Sequence, residues 1–183
     1  SVSDNAFSET FRDCTSLVSG ITSDLFKYNT LSSINGFAYT FMNCTSLVTI
    51  PDNLFKDHSL VSNWGFGQTF YGCTSLTTIG ANIFSGCTNV STYGFYQTFR
   101  DCTSLVSGIT TNLFQDCINV SSNGFSYTFA GCTKITNIPT DLFRYNTNVT
   151  NYGFFWTFYI CTRLTSIPTD LFRYNTQVST SGF

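Results

Sequence analysis

GFGQTFYGCTSLTTIGANIF, residues Gly65 to Phe84, decides the fold of this chain, because the same phrase with small changes fills the rest of the sequence. The phenylalanine after its first glycine (after Ala6 in the first copy) recurs at Phe7, Phe37, Phe66, Phe95, Phe125, Phe154 and Phe183, spaced 30, 29, 29, 30, 29 and 29 residues apart. Self-similarity at a period of roughly 20–50 residues is the mark of a solenoid or array. The spacing predicts one solenoid of six repeats over 1–183: 7–36, 37–65, 66–94, 95–124, 125–153 and 154–182. The two longer copies each carry an extra residue at the same place, Gly20 and Gly108 in "SLVSGIT", where a turn absorbs it without shifting the flanking columns.

Alignment of the copies turns composition into columns. Behind the marker, a second phenylalanine column runs Phe11, Phe41, Phe70, Phe99, Phe129, Phe158, and a third Phe26, Phe55, Phe84, Phe114, Phe143, Phe172. Of the 20 phenylalanines only Phe155 lies outside them. Aliphatic columns join these, for example Leu17, Leu47, Leu76, Leu105, Ile135, Leu164. One such coil cannot bury its apolar side chains alone, so neighbouring coils must stack and close a common interior. The coarse reading is two helical turns, "TFxxC" and "LFxxx", alternating with short strands near "SLxxI" and "VSxxGF". Thr10, Thr40, Thr69, Thr98, Thr128 and Thr157 precede the first turn; Asp24, Asn53, Asn82, Asn112, Asp141 and Asp170 precede the second. All are of helix N-cap type. Half of the second column is neutral Asn, which favours capping over calcium binding. Pro51, Pro139 and Pro168 close the first strand by removing a donor.

The runs Phe70-Cys73-Leu76-Ile79, Phe129-Cys132-Ile135-Ile138-Pro139 and Phe158-Cys161-Leu164-Ile167-Pro168 carry a family resemblance. The chain resembles the BspA-type leucine-rich repeats of bacterial surface proteins, over nearly its whole length, with a coil enlarged beyond that family's usual repeat. The resemblance implies stacked coils with short parallel strands and helical or 3-10 turns. It also implies an extracellular or cell-surface setting and a role in adhesion or display.

Charge excludes one class of partner. A net charge of -2, a pI near 5.0 and eight scattered Lys and Arg leave no electrostatic footprint for nucleic acid. Every hydrophobic run is interrupted by Ser, Thr, Asn or Gly, so no membrane insertion is expected. Catalysis has little to work with: His58 is the lone histidine and stands in a column of Asn and Cys, Glu9 is the lone glutamate, and the glycines punctuate repeats. No catalytic residue, metal site or cofactor is expected. Cys14, Cys44, Cys73, Cys102, Cys132 and Cys161 form one column and read as buried thiols. Cys87 and Cys117 occupy adjacent coils in another column, where a disulfide and two thiols fit equally well.

Surface columns carry what remains. Tyr39, Tyr127 and Trp156 share one, Trp64, Tyr93 and Tyr152 another, and Tyr28, Tyr145 and Tyr174 a third. Such stripes serve as interaction surfaces for glycan or protein, or pack on neighbouring coils. Glycosylation sequons stand at Asn43, Asn89, Asn119 and Asn148, three of them in one column. The first residues enter directly into repeat phase and Phe183 is itself a core-column residue. This predicts a segment of a longer array or a subunit whose ends stack on copies of itself, with an adhesin-type module for a glycan or host protein as the alternative.

Overall fold

The computed structural model describes residues 4–183, and its chain winds as stacked coils (coils 1 to 6, each counted from three residues before its marker phenylalanine). Coil 2 shows why the stack holds. The amides of Asn35, Phe37, Tyr39, Phe41 and Asn43 cross to the carbonyls of Asn63, Gly65, Gly67, Thr69 and Tyr71 in the next coil, at 2.7–2.9 Å. The amides between them, of Gly36, Ala38, Thr40, Met42 and Cys44, turn back three residues to Ser33, Asn35, Phe37, Tyr39 and Phe41, at 3.1–3.3 Å. One half of the backbone donors thus builds the stack and the other half builds the coil, which satisfies the demand that buried peptide groups be paired.

This alternation excludes both helix and strand. Every fourth residue lies in the left-handed region: Asn35, Tyr39 and Asn43 in coil 2, Tyr93, Gln97 and Asp101 at the start of coil 4, with φ between 53° and 59°. Each is the third residue of an i to i+3 turn, the position at which a type II turn requires positive φ. A helix tolerates no left-handed residue every fourth position, and a strand does not fold back on itself every second one. The expected helical turns and short strands are therefore not found among the described residues. What remains of the strands is a pair of parallel bridges, Thr49 with Thr78 and Thr78 with Ser107.

The phenylalanine columns are three ring ladders. The marker rings Phe37, Phe66, Phe95, Phe125 and Phe154 follow one another at 5.5–5.7 Å, within 11° of parallel. The second column stacks at 5.2–5.7 Å. The third, at 5.6–6.1 Å, leans edgewise into the first, as Phe84 does on Phe95 at 4.7 Å and 64°. Offset stacks in one direction and tilted contacts in the other are the arrangements aromatic quadrupoles favour.

Three residues after each phenylalanine stands a small donor, and its role corrects the capping assignment. Thr98 Oγ1 donates to the Phe66 carbonyl of the preceding coil at 2.7 Å, and Thr128 and Thr157 do the same to Phe95 and Phe125. These hydroxyls are buried donors to carbonyls, not acceptors from amides. The Asp/Asn column does not cap either: the Lys27 and Arg144 amides bind the main-chain carbonyls of Asp24 and Asp141. The Asp24 and Asp141 carboxylates pair with the Lys27 and Arg144 side chains, and Asn53 and Asn82 are themselves left-handed.

The extra glycine of the longer coils is positioned by its neighbour. Gly108, with φ 94°, lies so close to coil 3 that a Cβ would stand 2.1 Å from the Ile79 carbonyl oxygen, whereas Gly20, at φ 93° in the first coil, meets nothing within 4 Å. Gly108→Ala is expected to lower the melting temperature well beyond Gly20→Ala, which carries the backbone strain alone; equal effects in calorimetry would show that the close approach is not made. Thr98→Val, which keeps the shape and deletes the donor, is expected to cost about 1 kcal/mol in urea unfolding.

Candidate functional site

Two kinds of side chain could carry function: the polar groups among the rings and the aromatic groups on the flank. The polar ones are consumed by the fold. Cys44, Cys73, Cys102, Cys132 and Cys161 each direct Sγ to the carbonyl of Phe11, Phe41, Phe70, Phe99 and Phe129, at 3.1–3.2 Å. All eight cysteines are free. The disulfide weighed for Cys87 and Cys117 is not formed; Cys87 Sγ points at the Phe55 carbonyl at 3.1 Å and Cys117 Sγ at that of Phe84 at 3.8 Å. Both stand where other coils place an amide: Asn146 Nδ2 reaches Phe114 O and Asn175 Nδ2 reaches Phe143 O. His58 fills the same slot, Nε2 3.1 Å from Phe26 O and Nδ1 3.0 Å from Phe55 O. Each ring nitrogen faces a backbone carbonyl, one of them as donor in the neutral ring, and the side chain is fully buried.

Three of the four sequons are also engaged. Asn119 Nδ2, the atom that would carry a sugar, donates to Thr88 O, and Asn148 Nδ2 to Ile118 O, both at 3.0 Å. Asn43 Nδ2 binds the Asp13 carboxylate at 2.8 Å. Asn89 lies exposed in the same column.

The flank is different. Trp64 stacks on Tyr93 at 4.7 Å, and both meet Tyr96 edgewise at 5.3–5.5 Å. Tyr96 leads to Tyr127 at 6.0 Å, and Tyr127 to Phe155 and Trp156 at 5.6 and 5.4 Å. Trp156 stacks with Phe155 at 5.0 Å and with Tyr159 at 4.5 Å, while Tyr152 meets Phe155 edgewise. The Arg100 guanidinium lies over the rings of Tyr71 and Tyr127 at 5.7 and 5.3 Å. These rings form one continuous band that climbs obliquely from the start of coil 3 to coil 6. Burial among them pushes the Tyr96 phenol up, Tyr127 adding to the shift and Arg100 opposing it.

Of the stripe residues read from the sequence, the structure joins Trp64, Tyr93, Tyr127, Tyr152 and Trp156. Tyr39 stands apart, because Gln68 and Gln97 occupy its column before Tyr127 is reached. Tyr96, Phe155, Tyr159, Tyr71 and Arg100 were missed; the signal was Phe155, the one phenylalanine outside the core columns. Tyr28, Tyr145 and Tyr174 lie on another edge, where Arg144 covers Tyr145 and Tyr174 at 5.7 and 5.3 Å.

Five of these rings stand at left-handed positions of the repeat. Trp64, Tyr93, Tyr152, Tyr127 and Trp156 all hold φ between 53° and 57°, a conformation costing an ordinary residue roughly 1–2 kcal/mol. At the same places other coils carry Asn5, Asn35 and Asn123, or Gln68 and Gln97, and Asn enters that region readily. The conformation belongs to the repeat, since Glu9, Tyr39 and Ile160 hold it outside these five rings; in the first column the rings stand where Asn would meet it at least cost.

No family model and no curated protein matches the chain. Among solved structures it is similar to a leucine-rich repeat protein from Bacteroides ovatus, with 20% sequence identity and a TM-score of 0.35. That likeness covers 82% of this chain and 39% of the other, so the chain spans about two-fifths of the length of that structure. The architecture itself rests on the hydrogen-bond and ring ladders. Among the described residues no helix is long and apolar enough to cross a membrane.

The thiols generate a prediction. Burial pushes Cys44 and Cys161 up to about 11, and raises Cys73, Cys87, Cys102, Cys117 and Cys132 further. The folded chain then holds protons that the unfolded chain releases first, so stability is full below the ordinary thiol range, about pH 8.5, and falls as pH rises toward 11. Urea midpoints measured from pH 7 to the alkaline limit are expected to trace that fall, and a thiol reagent at pH 7 to label exposed Cys14 far faster than the other seven.

Proposed function

We propose that this chain is a non-catalytic, extracellular repeat protein of the BspA-type leucine-rich repeat kind, a subunit or segment of a long surface array whose coils continue by stacking on further coils of the same sort. The observation that carries the reading is the polarity of the open rows. In coil 6 the amides of Trp156, Phe158 and Ile160 occupy positions that elsewhere reach the next coil, and they find no backbone partner among the described residues. At the other end the carbonyls of Ser8, Thr10 and Arg12 accept none. Donors on one face and acceptors on the other, at the same spacing, make a heterologous contact that propagates without closing. The donor face is apolar as well. Ile167 and Phe183, whose column-mates are core residues, are 66% and 64% exposed there, and a recess of about 240 Å³ opens between Phe154, Trp156, Phe158, Phe172 and Phe183.

Residues 178–183, VSTSGF, hold the same repeat phase as residues 2–7, VSDNAF. A joint between two copies keeps one of these segments in the stack and displaces the other; the tail is already paired through the Thr180 and Gly182 carbonyls. The low charge and the Ser, Thr and Asn of the variable columns support an extracellular setting. A second reading, an adhesin-type module recognising a glycan or host protein, draws on the aromatic band, where Trp156 is 44% exposed.

End-to-end growth is expected in sedimentation and electron microscopy of the 183-residue chain, rising with concentration. The double change Ile167→Glu and Phe183→Glu should abolish the growth while leaving the fold intact. A wild-type chain without any end-to-end species at high concentration would refute the stacking.

A further inference from the structure

Coils 1 and 4 carry the same thirteen residues, TFRDCTSLVSGIT, at Thr10–Thr22 and Thr98–Thr110, 88 positions apart. The coil before coil 4 reads TFYGCTSLTTI from Thr69, and only coil 6, TFYICTRLTSI from Thr157, shares its tyrosine in that column, again 88 positions on. Granted the stacking of coils on which it rests, we propose a specific joint between two copies of this chain: coil 1 of the second copy sits on coil 6 of the first as coil 4 sits on coil 3.

The coil 3 to coil 4 junction shows what such a joint contains. The Arg100 guanidinium lies over the Tyr71 ring at 5.7 Å, Cys102 Sγ reaches the Phe70 carbonyl at 3.2 Å, and Gly108 lies against the Ile79 carbonyl where no Cβ fits. The matching pairs across the joint are Arg12 on the Tyr159 ring, Cys14 on the Phe158 carbonyl and Gly20 on the Ile167 carbonyl.

These groups already hold the junction's geometry on the single chain. Gly20 keeps φ 93°, as Gly108 keeps 94°, although nothing stands within 4 Å of its missing Cβ. Arg12 Nε lies 3.4 Å from the Asp13 carboxylate, as Arg100 Nε does from Asp101. What differs is cover: Ile79 is buried and Ile167 66% exposed, and Cys102 is buried and Cys14 exposed.

A second segment selects the same order of coils. Asp141–Thr147 and Asp170–Thr176 both read DLFRYNT and Asp24–Thr30 reads DLFKYNT, whereas coils 2, 3 and 4 lack its Tyr and Asn. Coils 5 and 6 meet through it: Arg144 lies over the Tyr174 ring at 5.3 Å, and Asn175 Nδ2 reaches Phe143 O and Asn146 O at 3.1 and 3.0 Å. Coil 1 placed on coil 6 extends both ladders, setting Tyr28, 85% exposed on the single chain, under Arg173 and aiming Asn29 at the Phe172 and Asn175 carbonyls. Only coil 1 combines this segment with TFRDC, so the occupant is coil 1 of a second copy. All its contacts lie after Phe7, and none needs the residues that the tail of the first copy displaces.

Charge favours the same polarity. Coil 1 carries four carboxylates against two cations, and coils 5 and 6 together carry four cations against two carboxylates. Faces of opposite sign attract head to tail, while head-to-head contacts set like charges together.

Sedimentation of the 183-residue chain with single changes tests the joint. Gly20→Ala, whose Cβ meets nothing on the single chain, is expected to keep the circular dichroism of the fold and to weaken end-to-end association at least tenfold. Arg12→Met, which places there the residue that coil 2 carries as Met42, is expected to weaken it about two- to fivefold, the worth of one exposed cation–π contact. Register is read by mixing a chain carrying Arg12→Cys with one carrying Tyr159→Cys, both with Cys14→Ser. Equivalent positions of stacked coils lie about 4.8 Å apart, within disulfide reach, so air oxidation should join the two chains through a mixed disulfide. Growth undiminished by both Gly20→Ala and Arg12→Met, or association without the mixed disulfide, overturns this joint and leaves the stacking standing. A wild-type chain with no end-to-end species overturns both.

Discussion

The interaction on which the structure depends is the hydrogen bond to the phenylalanine carbonyls. Each core phenylalanine brings a large ring inward and, with it, a peptide carbonyl held in an apolar interior, where an unmet acceptor costs about 1–3 kcal/mol. The amide three residues on closes a turn onto that oxygen, and a side-chain donor of the next coil takes up its second lone pair: Thr on the first column, Cys on the second, and Asn, Cys or His on the third. Ring stacking sets where coils lie; these donors say which coil lies there. Residues as unlike as His58, Cys87 and Asn146 share a column for this reason, each having a short side chain with something to donate.

Much of this was legible in the sequence and some was not, and the division has a physical basis. The period and the three ring columns were plain, because an interior of stacked coils demands the same bulky side chain at each turn. The thiol column was legible too, one turn from a ring. The local conformation was misread because Thr and Asn before an apolar pair look like helix caps, yet the same hydroxyl donates as readily as it accepts, and here only carbonyls were within reach. The left-handed positions were hidden. In coil 1 they carry Asn5, Glu9 and Asp13, in coil 6 Tyr152, Trp156 and Ile160, and no composition rule joins such residues. The aromatic stripes were visible as columns, but their union into one oblique band was not. It crosses columns through Tyr96 and Phe155, which become neighbours of Tyr127 only once the four-residue turn is known.

Core and flank are thereby uncoupled. The inward positions of each turn are committed to rings and donors, while the left-handed ones accept Asn, Gly, Gln, Asp or an aromatic residue. A coil can change what it displays without disturbing what it buries. Where packing does restrict a left-handed position, the restriction is from one coil to the next: Gly72 and Gly131 lie under the side chains of Asn43 and Asp101, whose Oδ1 atoms a Cβ would meet at 2.5 and 2.1 Å.

The direction of the crossing amides has an electrical consequence. From Asn5 to Phe154 those of the marker segment all point toward the later coil, so their peptide dipoles add along the axis as they do in a helix. The sign relative to chain direction is the reverse: partial positive charge collects at the C-terminal face and partial negative charge at the N-terminal one. An array of such coils is therefore an electrically oriented rod, which would attract anions to its C-terminal tip, align in a field, and cancel its moment when two rods lie head to tail beside each other.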